Sequence, residues 1–494
     1  MSSNPLQVQF DPSAARFGSS RSQKRIEDDR LLTGRGRYSD DRTLPNQAWM
    51  VLVRSPHAHA KLTSIDLSAC RSAAGVVAAW SMQDLHADGV KHIPFPQLFK
   101  RADGSPMAAP ARTPLAQGKV YYVGHPVAAI VAETREQAQD AAELAAIDYE
   151  ELPCLVDPRD AVRDGAPTLF DAAPGNVAAQ AAYGDAAAAA KAFAEAAHVV
   201  EIELHNQRLN AMALEPRAFL ATFENGRVTL YTQNQTPSAA RDLLPMALGG
   251  KPQDYRVVNG DIGGGFGMKT GLTPEDALVC YAARKLNRPV RWRADRSEEF
   301  LAAHMGRDMH FKAALALDRD GRFLALRMEM LGNIGAVPVG SSAMIPLVMV
   351  AKVTTSVYRV PVVDYRIKAV LTNTMATGAY RGAGVPKATT LSSGSSRRRR
   401  SSPASTAWSF ASATSFGRRT CRIARMSARR TTAGTSAACW NARRRQRTGR
   451  VLPLAPSSRG AAAACAGAAS RATSNGPARY PPRRWTSKSL RTEA

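Results

Sequence analysis

The sequence predicts an α+β fold: two regions of mixed strands and helices, followed by a long basic tail. Three observations carry this. Short apolar runs with alternating pattern recur between a few capped helices over residues 26–388. Five glycines fall within residues 260–267, between a strand-like run at 255–258 and a marked helix start. The charge is unevenly placed: of 66 Lys+Arg and 41 Asp+Glu, residues 391–494 hold 22 and one. The formal charge of +25 therefore divides into +21 for the tail and +4 for residues 1–390. A length of 494 residues leaves room for two to four domains.

Taken in order, residues 1–25 are polar and Ser-rich and predict a flexible arm. A strand is expected at 48–53, then the loop Arg54-Ser-Pro-His57-Ala-His59-Ala60. No acidic or cysteine partner stands at useful spacing from His57 and His59, so they read as loop residues and not as metal ligands. Further strands are expected at 75–80 and 126–132, and a helix at 134–147 with Thr134 and Gln137 as its capping box. Residues 26–150 thus form a first α+β region. Four prolines and no periodicity make 151–175 a linker. An Ala-rich helix follows at 185–197, then strands at 199–204, 218–223 and 228–231, within a second region spanning 176–388.

The run Gly260-Asp-Ile-Gly-Gly-Gly-Phe-Gly-Met-Lys-Thr270 is the central candidate site. Glycines let backbone N–H groups converge on something brought close. Thr273 is a candidate N-cap, with Pro274, Glu275 and Asp276 in the first turn. Strand, crook and capped helix together predict a cradle for an anionic ligand. Neither common nucleotide motif fits. Met268 takes the place of the second P-loop glycine, and Gly263 and Gly265 lack the third glycine of the dinucleotide fingerprint. Two other runs have chemistry to offer. Tyr231-Thr-Gln233-Asn-Gln-Thr-Pro237 brings three amides to a strand end, each with donor and acceptor groups. Gly378-Ala-Tyr-Arg381-Gly-Ala-Gly-Val-Pro386 offers a guanidinium fork between glycines.

The Gly-Gly-Gly-Phe-Gly-Met-Lys loop resembles the cofactor loop of molybdenum hydroxylase large subunits, the xanthine dehydrogenase/aldehyde oxidase/carbon monoxide dehydrogenase large-chain family. Met212-x-x-Glu215-Pro-Arg217, Thr232-Gln233-Asn234 and Tyr380-Arg381-Gly382 follow the same family's order, and 30–41, 54–60 and 122–129 resemble its opening α/β hammerhead domain. The resemblance covers residues 26–388. It implies a hammerhead domain at 26–150 and the first part of a molybdopterin-binding domain at 176–388. Gln233 would lie beside the metal's oxo ligand, and Gly264, Gly265, Phe266, Gly267 and Arg381 would hold the cofactor, a molybdopterin with cytosine dinucleotide as the bacterial expectation.

By that resemblance the chain is a catalytic oxidoreductase subunit hydroxylating a small molecule, an aldehyde or N-heterocycle, with water as oxygen source. The copper-binding cysteine of carbon monoxide-oxidising members is replaced by Gly382, and the glutamate of purine-oxidising members by Thr270. His125 stands where the family places a glutamate. The implied partners are a 2Fe-2S small subunit and an FAD-binding medium subunit, assembled as a dimer of heterotrimers.

Six scattered cysteines without a C-x-x-C pair, no signal architecture at residues 1–10 and no long apolar run predict a cytoplasmic protein outside the membrane. After residue 388 the composition changes to Arg, Ser, Ala and Thr, with 21 arginines against Lys488 and no aspartate. Such a tail predicts disorder. It reads as the product of a reading-frame slip in a GC-rich gene, which removes the family's general-base glutamate and leaves a chain without activity of its own. The alternative is an arginine-rich arm that binds nucleic acid through phosphates.

Overall fold

A computed structural model describes residues 25–388, except 96, 97, 109, 357 and 387. The expected N-terminal arm (but for Arg25) and basic tail lie outside these described residues, and so does the predicted site of the frame slip.

The architecture is α+β. A seven-stranded sheet runs in the order Tyr255–Asn259, Arg227–Thr232, Ala218–Glu224, Val290–Arg293, Ala48–Arg54, Pro126–Ala132, Val76–Trp80. It therefore crosses the boundary expected near residue 150. The seam is a short parallel pairing, Ala48 with Val290 and Trp49 with Arg291. One apolar core serves both sides: Met50, Leu52 and Trp80 pack with Phe219, Leu278 and Trp292. The central element of that core is helix Pro274–Leu286, in which every residue from Glu275 to Ala283 is buried. Its Thr273 cap accepts from Asp276 N at 3.2 Å and closes a capping box, as the sequence predicts.

A second, five-stranded sheet runs Val177–Gly184, Val362–Val370, Phe323–Asn333, Met309–Leu317, His198–Asn206. Helix Ala186–Ala194, capped by Asp185, covers it through Ala189 against Ala316 and Ala325. A three-stranded sheet joins Lys119–Val120, Ala60–Asp66 and Ala146–Glu151. This last strand corrects the helix expected over 134–147. The helix is Arg135–Glu143, with the predicted Thr134–Gln137 box intact. Beyond it, alternation puts Ile147 and Tyr149 on one face against Leu62 and Val120, and packing on a sheet outweighs continuing the helix. The linker expected at 151–175 is pinned to the second sheet's surroundings. Leu155 and Asn373 exchange two hydrogen bonds of 2.9 and 2.6 Å, and a short helix forms at Pro158–Ala161. No helix among the described residues is long and apolar enough to cross a membrane.

Candidate functional site

The glycine loop leaves strand Tyr255–Asn259 and is braced at once by the N-terminal region. Asp261 accepts from Arg30 Nη2 at 2.6 Å and from Arg37 N at 2.7 Å, and donates its own N–H to Arg37 O. Around the turn, Phe266 takes a left-handed backbone (φ 54°) and the residue is 39 % exposed. Such a conformation costs a bulky residue about 1–3 kcal/mol and persists where surroundings enforce it. Two contacts enforce it here. Phe266 O accepts from Arg381 N at 2.9 Å, and Gly267 N donates to Gln235 Oε1 at 2.8 Å. Gly267 itself has φ 100°, and a Cβ there would stand 2.7 Å from Ala379 O. The loop and the 379–381 segment thus touch backbone to backbone, which only glycine permits.

Beneath the loop lies Glu215. Its Oε2 accepts from Gly263 N at 2.6 Å, its Oε1 accepts from Gln233 Nε2 at 2.8 Å, and Lys269 Nζ donates to its backbone O at 2.8 Å. Burial pushes the Lys269 ammonium below the usual lysine range, partly opposed by Glu215. Lys269 is therefore committed inward and unavailable to a phosphate, which disposes of any P-loop reading. The helix start is committed too. Thr273, Glu275 and Asp276 are buried, and Glu275 lies between two arginines, so the anion cradle expected at the helix end is filled by the protein's own side chains.

That buried polar layer is extensive. Arg217 donates to Glu299 Oε2 at 3.0 Å and Glu275 Oε2 at 3.2 Å; Arg54 donates to Glu275 Oε1 at 2.9 Å and Glu298 Oε1 at 2.8 Å. Burial alone would raise the Glu275 carboxyl, but Arg217 and Arg54 hold it at about 2. Burial, aided by Arg54, pushes the His125 imidazole down to about 3, and burial pushes His304 down to about 4. A cavity of about 30 Å³ lies among them, lined by Arg112, Tyr122, His125, Arg217, Met268 and His304. Arg217 Nη2 and His304 Nε2 have no hydrogen-bond partner among the described residues. This volume admits a water molecule or two and no cofactor. Outside this cavity, Gln235, Phe266 and Arg381 are all exposed.

Residues 169–393 match the family described as "Molybdopterin cofactor-binding domain", and residues 33–153 match "Aldehyde oxidase and xanthine dehydrogenase, a/b hammerhead domain". The chain is 34 % identical over 369 residues to the nicotine 6-hydroxylase large subunit of Paenarthrobacter nicotinovorans, covering 73 % of this chain and 44 % of that one. It is 30 % identical over 370 residues to the carbon monoxide dehydrogenase large chain of Hydrogenophaga pseudoflava, covering 72 % and 45 %. Its fold superposes on quinoline 2-oxidoreductase from Pseudomonas putida 86 with a TM-score of 0.73 at 33 % identity, over 80 % of this chain and 50 % of that one. The chain belongs to the molybdenum hydroxylase large-subunit family. It spans less than half the length of these two curated relatives.

Within this hydroxylase fold, the structure unites the three sequence motifs unequally. Gly264, Gly265, Phe266 and Gly267 share one turn, with Gly265 buried against Gln235, and that turn is bonded directly to the arginine segment through Arg381 N and Phe266 O. Gln233, expected beside the metal, is 1 % exposed and turned inward: Oε1 accepts from Ala218 N at 3.3 Å while Nε2 serves Glu215. The amide on the open face is Gln235. Its Oε1 accepts from Gly267 N, and the residue is exposed. Sequence reasoning missed this because the strand ends at Thr232, and the alternation that would tell the three amides apart ends with it. It also missed Glu215 as the hub, since nothing adjacent to Lys269 in sequence shows that the lysine turns inward to it. An exposed glutamine, an exposed guanidinium and a glycine-lined backbone suit a group with anionic oxygens and a pterin's hydrogen-bonding edge.

Proposed function

We propose that this chain supplies the first half of a molybdopterin site in a hydroxylase acting on an aldehyde or N-heterocycle, with water as oxygen source. The observation that carries the reading is the joint between Phe266 O and Arg381 N, with Gln235 on Gly267: three segments far apart in sequence assembled on one open face. Gln235 and Arg381 hold the cofactor by side chain, with the exposed Phe266 beside them. Gln233 acts from below, by fixing Glu215 and through it Gly263. When bound, the molybdenum–pterin group supplies two-electron oxidation of an electrophilic carbon. The chain's own residues bind and orient it, and the buried arginine–glutamate layer keeps the loop's underside rigid.

Nicotine and quinoline in the names of two relatives favour an N-heterocycle, and Gly382 in place of a copper-binding cysteine disfavours carbon monoxide. Cytosine dinucleotide is the proposed pterin form, and 2Fe-2S and FAD subunits are the proposed electron outlet. The loop and the arginine segment alone retain little molybdenum. The test is molybdenum and pterin analysis of the purified chain, alone and co-produced with a polypeptide carrying the relatives' remaining half and the two electron-transfer subunits. Substoichiometric metal alone and about one molybdenum per assembled chain is the expected pair of results. An assembled complex without molybdenum, or with as much in the Gln235→Ala, Arg381→Ala variant, overturns the reading.

A further inference from the structure

On the second sheet, His205 and His310 are directly opposed across the antiparallel pairing of His198–Asn206 with Met309–Leu317. Their rings stack with centroids 3.9 Å apart and planes 8° from parallel. Asp308 joins them from just before the strand, its Oδ1 3.3 Å from His205 Nε2. One ligand atom from each of the three residues lies within 4.8 Å of the others. We propose that His205, Asp308 and His310 form a binding site for a divalent cation of the zinc class.

Four features support it. Two imidazoles and one carboxylate are the donor set that borderline cations such as Zn²⁺ prefer over Mg²⁺ or Ca²⁺. The carboxylate is oriented from behind: Asp308 Oδ2 accepts from Arg208 Nε and from Asn333 Nδ2, both at 2.9 Å. Those bonds leave Oδ1 facing the histidines, and such outer partners are what hold metal ligands in place. Arg208 is itself tied to Met375 O and Thr374 Oγ1 at 2.6 Å, which fixes the guanidinium that holds Asp308. Finally, Arg307 and Asp308 take consecutive left-handed backbones, φ 74° and 61°, an unusual conformation that sets Asp308 beside the cross-strand histidines.

Tetrahedral Zn²⁺ with bonds near 2.0–2.1 Å requires ligand atoms about 3.3 Å apart. The His205–Asp308 pair already meets that spacing. The remaining adjustment falls to His205, whose side chain is 46 % exposed and free to tilt, while Asp308 and His310 are buried and fixed. Three protein ligands leave a fourth position for water.

The experiment uses the full chain, purified without a histidine tag, chelator-treated and with its cysteines alkylated, titrated with Co²⁺ and then Zn²⁺. One equivalent of Co²⁺ giving visible tetrahedral bands, displaced by Zn²⁺ and accompanied by a rise in melting temperature, is expected. His205→Ala, at a half-exposed position, abolishes the signal while leaving the circular dichroism unchanged. Asn333→Ala weakens affinity about 10- to 100-fold without removing a ligand. His57→Ala and Gln235→Ala leave binding intact. Absence of a saturable one-equivalent signal, or a signal that survives in both His205→Ala and His310→Ala, overturns the proposal.

Discussion

Replacing Gly267 by alanine tests the contact on which the candidate site depends. At φ 100° a non-glycine residue is strained, and its Cβ would lie 2.7 Å from the carbonyl oxygen of Ala379 and 3.0 Å from its side chain. The backbone strain costs about 1–3 kcal/mol. Overpacking against a backbone oxygen that cannot rotate away adds about 1–3 kcal/mol, unless the loop lifts and forfeits the Phe266–Arg381 bond. Gly271 is the internal control: its φ is 73°, but nothing lies within 4 Å of its virtual Cβ. Gly271→Ala therefore costs conformational strain alone, about 1 kcal/mol. Urea unfolding of both variants, followed by core tryptophan fluorescence, should separate them by about 2 kcal/mol, with Gly267→Ala the less stable. In the assembled enzyme Gly267→Ala should also lower molybdenum content, and Gly271→Ala should not. Equal destabilisation of the two variants would refute the claim that loop and arginine segment are in backbone contact.

Glu275→Gln leaves Arg54 and Arg217 each short of a buried partner and should cost about 3–5 kcal/mol, read as a fall in urea midpoint. The Glu275 carboxyl sits at about 2, below its ordinary 4.5. Its contribution is complete above the ordinary value and is lost as pH falls towards 2, so the variant's midpoint should vary less with pH than wild type in that window. His304, held at about 4 against an ordinary 6.5, is neutral when folded and protonated when unfolded over that range. Acidification from pH 6.5 to 4 should cost about 1.4 kcal/mol per pH unit through this residue, and His304→Gln should remove that slope. A slope unchanged in the variant argues against a buried neutral imidazole. Gln233→Ala and Gln235→Ala should have different profiles. The first destabilises the apoprotein by about 1–3 kcal/mol by stripping Glu215 and Ala218 N of a partner. The second removes only the Gly267 N bond at the exposed loop, costs the apoprotein about 0.5–1.5 kcal/mol, and lowers molybdenum occupancy in the assembly.

Local signals were legible where local chemistry decides the outcome. The Thr134 and Thr273 caps, the strand at 126–132 and the glycine crook could all be read from a few adjacent residues, and each forms as expected. The seam of the large sheet could not. Ala48 and Val290 are both ordinary apolar strand residues, and nothing near either indicates its partner far along the chain. The end of the helix at Glu143 was hidden because Ala and Glu favour helix on past that point, and only tertiary packing of Ile147 and Tyr149 turns Ala146–Glu151 into a strand. In the site, residue types were readable and their facing was not. Three consecutive amides at a strand end have no periodicity to sort them, so Gln233 and Gln235 differ only once Glu215 and Gly267 are placed. The departure at His125 proved to be a buried neutral histidine beside Arg54, a consequence no short-range rule supplies.

The most direct test of the central claim is an anomalous-scattering map, collected at the molybdenum edge, from crystals of the assembled enzyme. One peak per chain is expected on the open face of the glycine loop, with the pterin reaching between Gln235 and Arg381. A molybdenum peak remote from Phe266 and Gly267, with those residues facing solvent or other protein, would contradict it.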